Sequence, residues 1–226
     1  MEFKDFFGIQ KQEIKEDCII CQLYDLPLFA KKSEIGFFVK TAEAENATII
    51  GLKNNFLAGD AVLHLRNSSC KKIYLFGNCG GCADVESGDI LMIDKAYNFE
   101  SFSKMAAHDT NPDFFTSSKE LLEDFYSNNH YEDLIKTNSA CVSSLLLEAE
   151  YIDWFKNNGI CAIDMESSIV FSAAKKIGVK AVCFMYVADH IEKSPIGFEL
   201  DEKTRKAVSC ARRKLPRMIL DFINGR

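Results

Sequence analysis

Short apolar runs alternate with amphipathic segments along the whole chain. The runs at residues 18–23, 37–39, 48–52, 72–77, 90–94, 161–164 and 181–187 are brief and rich in β-branched or aromatic residues, which predicts strands. Segments 59–65, 117–126, 148–157, 167–177 and 201–222 carry helical spacing instead. In the last of these, Val208, Ala211, Leu215, Met218, Ile219 and Phe222 recur every three or four residues and form one stripe for burial. Pro216 is expected to kink or split that helix. Residues 97–130 are polar and aromatic with weak periodicity, which predicts irregular loops and one helix. The alternation predicts an α/β fold in three layers, a central mixed, twisted β-sheet flanked by helices. Glycine and proline are sparse and no linker or repeat intervenes, so residues 1–226 read as one domain.

The most informative stretch is residues 161–190, CAIDMESSIVFSAAKKIGVKAVCFMYVADH. An apolar run ends in Asp164-Met165-Glu166, a helical pattern follows from Ser167 to Ile177 with Gly178 as the stop, and a second apolar run ends on Asp189. This is strand–helix–strand with a carboxylate at the end of each strand, where open α/β sheets bind ligands. One acid can bind while the other donates a proton. Two structural roles stand beside that reading: Glu166 as a charge favouring a helix N-terminus, and Asp189 as a turn residue. A second signal is KIYLFG at residues 72–77, leading into Asn78-Cys79-Gly80-Gly81, a glycine turn that lets a ligand approach the backbone. It lacks the spacing of a dinucleotide or phosphate loop.

Composition narrows the classes. A net charge of −6 argues against a nucleic-acid surface. The N-terminus has no basic start or apolar core of signal-peptide length, and the longest apolar run, residues 181–188, is too short for a bilayer. Nine cysteines, an odd number scattered among apolar runs, suit reduced thiols and a cytoplasmic location. Cys18/Cys21 and Cys79/Cys82 have CxxC spacing, but a zinc site needs all four thiolates to converge, and Cys18 and Cys21 lie on a predicted strand, where residues three apart face opposite sides, so a metal site is not expected.

Taken together, GNCGG followed by SGDILMID, then GICAIDMESSIVFSAAKKIGVKAVCFMYVADH, resembles the nucleoside phosphorylase and nucleosidase superfamily. The family's E-M-E segment appears as Asp164-Met165-Glu166 and its S-D as Ala188-Asp189, at the family's spacing. The resemblance covers about residues 72–94 and 159–191. It implies cleavage of a ribose–base N-glycosidic bond through an oxocarbenium-like state, with no cofactor and no metal. By it, Glu166 accepts hydrogen bonds from the ribose hydroxyls, Met165 packs on the sugar, and Asp189 protonates or hydrogen-bonds purine N7. Arg205 is the best match to an arginine that assists the catalytic aspartate. Gly77, Asn78 and Gly80 belong to the turn beside the nucleophile. Relatives form dimers, trimers or hexamers, which implies a homo-oligomer here.

The chain departs from that pattern where phosphate binds. Phe29 and Leu75 stand at positions that carry arginines in phosphorylases, no arginine occurs in residues 37–52, and Asn78 replaces a serine or threonine. Lys53, Lys31 and Arg66 are the cations left to compensate. Arginine is the usual phosphate ligand, so its loss shifts the expectation toward hydrolysis, with a rebuilt phosphate site or a non-catalytic nucleoside-binding protein as alternatives. Asp25 is the nearby candidate to orient water. The base-stacking aromatic expected near residues 143–145 is missing, leaving Tyr97, Phe99 or Phe102 to supply a face.

Overall fold

The computed structural model describes residues 2–128, 134–197 and 199–226. Strands β1 (Asp17–Gln22), β2 (Glu34–Ile35), β3 (Val39–Ala44), β4 (Ala47–Leu52), β5 (Lys72–Gly81), β6 (Ile90–Phe99), β7 (Phe114–Thr116), β8 (Leu134–Val142), β9 (Ile160–Asp164) and β10 (Lys180–His190) form one mixed sheet. The helices are α1 (Phe3–Phe7), α2 (Leu57–His64), α3 (Phe102–Ala106), α4 (Lys119–Asn128), α5 (Ile152–Asn157), α6 (Ser167–Ile177) and α7 (Glu202–Ile223).

The sheet divides two apolar layers because strand side chains alternate between its faces. Cys18, Ile20, Ile73 and Leu75 pack on the side of α2 and α6 with Ala58, Val62, Val170 and Phe171. Ile19, Cys21, Tyr74 and Phe76 pack on the other side with Leu121 and Phe125 of α4 and with Leu215, Met218 and Ile219 of α7. Cys18 and Cys21 thus fall on opposite faces, as their spacing requires. A smaller cluster joins Phe99, Ala140, Val142, Phe155 and Ile160 beneath α5. Among the described residues no helix is long and apolar enough to cross a membrane.

The layered mixed sheet agrees with the expectation, with one addition: the sheet closes on itself. β10 pairs with both β5 (parallel) and β6 (antiparallel), and β6, β8, β9 and β5 complete the ring. The closure runs through the glycines. β5 continues to Gly81 and pairs there with β9, Gly80 opposite Ile163 and Gly81 opposite Ala162. The expected turn at residues 78–81 is therefore extended strand. A Cβ on Gly81 would lie 2.7 Å from Val187 Cγ1 and 3.0 Å from Val85 Cγ2, so glycine serves close approach there, not reversal. α7 is also not split: it runs unbroken through Pro216, which is itself buried beside Leu215, Met218 and Ile219. Burial of that stripe outweighs the lost backbone bond.

Candidate functional site

A cavity of about 250 Å³ opens where β1, β4, β9 and β10 end, along the second half of β5. That is near the small end of ligand sites, which run from ~300 Å³ upward. Met165, Glu166, Asp189, Gly77, Asn78 and Gly80 all line it, together with Gln22, Tyr24, Asn55, Glu148 and Asp164.

Asp164 builds the corner that presents Glu166. Its Oδ2 accepts from the backbone N–H groups of Glu166 (3.0 Å) and Ser167 (2.6 Å), an aspartate turn that starts α6. Ser167 Oγ donates to Asp164 Oδ1 at 2.6 Å, so Ser139 Oγ, 2.9 Å away, is the donor to Ser167. α6 then runs to Gly178, which takes the left-handed conformation of a helix stop. Glu166 occupies the position before α6, yet its carboxylate makes no capping bond. It accepts instead from Gln22 Nε2 at 2.8 Å, and the same amide nitrogen donates to Asn55 Oδ1 at 2.8 Å.

Asp189 is aimed by a bulge. The β10–β5 register passes from Val187 opposite Cys79 to Asp189 opposite Gly80, so Ala188 is an extra residue. Bulges redirect side chains and recur beside active sites. Asp189 Oδ2 lies 3.5 Å from the point a Cβ on Gly80 would occupy, and a Cβ on Gly77 would meet nothing within 4 Å. Gly80 thus lies against the carboxylate, and Gly77 borders open space in the cavity.

These acids are crowded. Burial, then the charge of Asp164, pushes Glu166 up to about 8, against the Met165 amide and Gln22. Asp164 is pushed to about 6 by burial despite its hydrogen bonds. Glu148 is raised to about 7 by burial and by Asp189, and burial raises Asp189 as well. Four carboxylates line the cavity, and among the described residues no lysine, arginine or histidine does.

Two expected site residues lie elsewhere. Arg205 is exposed on the first turn of α7, 3.7 Å from Glu199, and does not line the cavity. Asp25 is fully buried in the 3₁₀ turn Leu23–Leu28 and faces α7 instead. Arg212 Nε donates to its Oδ1 at 2.8 Å, and Arg212 Nη2 lies 2.7 Å from the same oxygen and 3.3 Å from Tyr24 O. Burial raises the Asp25 carboxyl while Arg212 opposes the shift. Phe29 packs edge-on against Phe76 at 5.2 Å, so that position belongs to the core, and Leu75 presents an apolar side chain to the cavity. Lys53 donates to the carbonyls of Gly36 and Phe37, and neither it nor Lys31 nor Arg66 lines the cavity. Tyr97 and Phe99 pack against Trp154, away from the cavity, and the side chain of Phe102 lies outside the described residues. Tyr24 is the aromatic at the rim, its hydroxyl donating to Asn78 Oδ1 at 2.9 Å.

Sequence reasoning missed Gln22, Asn55, Glu148 and Arg212. Gln22 carried a readable signal, being the polar residue that ends the apolar run of β1, where α/β sheets bind ligands. The other three carried none, because their partners are distant in the chain.

A carboxylate-lined cavity at strand ends of a mixed sheet between helices marks an α/β fold with a candidate small-molecule site. The chain belongs to the phosphorylase superfamily, whose family model matches residues 48–223. Its fold is similar to that of uridine phosphorylase from Vibrio fischeri, with TM-score 0.74 and 15% identity over 96% of this chain and 95% of that one. It is similar also to 5′-methylthioadenosine/S-adenosylhomocysteine nucleosidase from Campylobacter jejuni, with TM-score 0.71 and 13% identity over 92% and 98% of the two chains. For AMP nucleosidase from Bacteroides thetaiotaomicron the values are 0.69 and 16% over 95% and 94%. No curated protein sequence matches the chain.

Proposed function

We propose that this chain cleaves the N-glycosidic bond of a purine or purine-like nucleoside, with water as the nucleophile. The observation that carries this reading is one cavity lined by Met165, Glu166 and Asp189 and, among the described residues, by no basic side chain. Glu166 accepts hydrogen bonds from the ribose hydroxyls, and its negative charge stabilises the oxocarbenium character that develops in the sugar. Met165 packs on the ribose. Asp189, raised by burial, delivers a proton to purine N7 so that the base leaves neutral. Glu148 offers a further acceptor in the same cavity, and Tyr24 an aromatic face at its rim. Gly77, Asn78 and Gly80 border the nucleophile. The names of two structural neighbours, for 5′-methylthioadenosine/S-adenosylhomocysteine and for AMP, support a purine.

The acidic lining supports water over phosphate. Each charge-assisted hydrogen bond to an anion is worth roughly 1.5–3 kcal/mol, and here Phe29 and Leu75 stand at the positions of those donors while the cavity is lined by acids. Tyr24, Leu145 and Ile196 line the cavity yet stay exposed, an apolar rim that supports a homo-oligomer, whether dimer, trimer or hexamer. The free cysteines support a reducing, cytoplasmic setting, and the continuous sheet supports one domain over residues 1–226.

The test is a panel of purine and modified-purine nucleosides, incubated with and without phosphate and assayed for free base, ribose and ribose 1-phosphate. Free ribose at a phosphate-independent rate is expected. Product only in the presence of phosphate overturns the choice of water, and tight nucleoside binding with no product overturns catalysis.

A further inference from the structure

We propose that Gln22 is a positioning residue, which holds the Glu166 carboxylate in the orientation and ionised form that takes the ribose diol. The proposal rests on the ribose role of Glu166 above and adds a residue that the motif does not contain.

The geometry is a short relay across the cavity floor. Gln22 ends β1, and Glu166 precedes α6; the two are 144 residues apart in the chain. Both hydrogens of the Gln22 amide are committed, one to Glu166 Oε1 and one to Asn55 Oδ1, each at 2.8 Å. Asn55 therefore fixes the rotation of the Gln22 amide, and the amide fixes one oxygen of Glu166. A neutral amide N–H suits this task. It donates to the carboxylate without adding a cation that would compete with the developing positive charge on the sugar.

The ionised form needs such a donor. Glu166 is buried beside Asp164, and burial with a neighbouring negative charge favours its protonated state. The other titratable groups lining the same cavity are Cys21, Tyr24, Cys79, Glu148 and Asp189, so every ionisable neighbour there is acidic. The donors acting on the Glu166 carboxylate are the Met165 backbone amide and Gln22. Of these, Gln22 alone is a side chain that substitution can remove.

The test compares Gln22→Leu, which keeps the size and removes the donor, with Gln22→Glu, which puts another carboxylate against Glu166. Activity is measured as kcat and KM against pH, on a ribonucleoside and its 2′-deoxy counterpart. Gln22→Leu should lower kcat/KM on the ribonucleoside by roughly 10- to 100-fold, the worth of one charged hydrogen bond. It should narrow the preference for ribose over deoxyribose by a similar factor and move the acid limb of the profile to higher pH. Gln22→Glu should be worse on all three counts. Equal loss in both variants, or loss on ribo- and deoxynucleosides alike with an unmoved acid limb, overturns the positioning role. Where the wild-type protein cleaves no nucleoside, the enzymatic reading fails by itself. The relay is then judged by infrared titration of the Glu166 carboxyl, identified by its absence in Glu166→Gln. An unshifted titration in Gln22→Leu overturns the relay.

Discussion

The two sides of the cavity hold their charged groups in opposite ways. On the β9–β10 side, Glu166 between β9 and α6 and Asp189 near the end of β10 face the cavity, supported by an aspartate turn, a glutamine and a bulge. On the first-loop side the charges are present but turned away. Asp25 is buried against Arg212, and Phe29 has joined the core. The difference shows that a charged pair near a site is not a binding element when its partners consume it. Arg212 is the cation nearest the first loop's role, but its guanidinium is spent on Asp25 and on the carbonyl of Tyr24. A ligand anion would have to displace a buried carboxylate to use it.

Breaking the first side should produce the largest effect. Asp189→Asn keeps the shape of the side chain and removes the acid, so kcat should fall at least about 10²-fold while the melting temperature stays near that of the wild type. An unchanged rate would remove Asp189 from proton transfer and leave the two sides alike. Breaking the second side should act on stability instead. Arg212→Ala leaves Asp25 buried without its partner, a loss for which buried pairs cost about 3–5 kcal/mol, less here because Arg212 is partly exposed. With ~2–4 °C per kcal/mol for a chain of this size, thermal denaturation should show a drop on the order of 5–10 °C, with turnover per folded molecule retained. A rate that collapses at constant melting temperature would mean that the first loop takes part in the chemistry.

The same contrast explains what could be read from the sequence. α6 matches the expected residues 167–177 because its caps and stripe are local, set by Asp164 before it and Gly178 after it. β10 and β9 differ from expectation only at their ends. β8, by contrast, was not legible: LIKTNSACV reads as polar, yet its buried face carries Thr137 and Ser139, and Ser139 is satisfied by Ser167, which lies elsewhere in the chain. β5 looked shorter than it is because glycine weakens a strand unless something must come close, and the side chain that comes closest to Gly81, that of Val187 on β10, is distant in the chain. The places of the α7 arginines were equally hidden. Arg205 and Arg212 both lie on α7, and only the fold shows that Arg205 is away from the cavity and that Asp25, 187 residues from Arg212, is the partner of Arg212.

The smallest expected effect separates the two sides by pH. Glu166 at about 8, Glu148 at about 7 and Asp164 at about 6 are all raised above the usual carboxylate range, with burial the first cause in each. A raised acid binds its proton more tightly when folded than when unfolded. Its contribution is therefore fully present below pH ~4.5 and is lost as pH rises through the folded value. The exposed carboxylates paired with lysines, Glu16, Glu86 and Glu192, are shifted the other way, so their stabilisation is lost only as pH falls below the ordinary carboxylate range and is level above it. Between pH 5 and 8 the cavity acids thus set the slope, and the melting temperature should fall by roughly 2–4 °C for each kcal/mol lost. Glu166→Gln should flatten the upper part of that fall, whereas Asp25→Asn should leave it in place, because Arg212 already opposes the shift at Asp25. A melting temperature that rises across this interval would mean that the cavity acids are ionised without cost, and that the side holding Glu166 and Asp189 is no more crowded than the loop opposite.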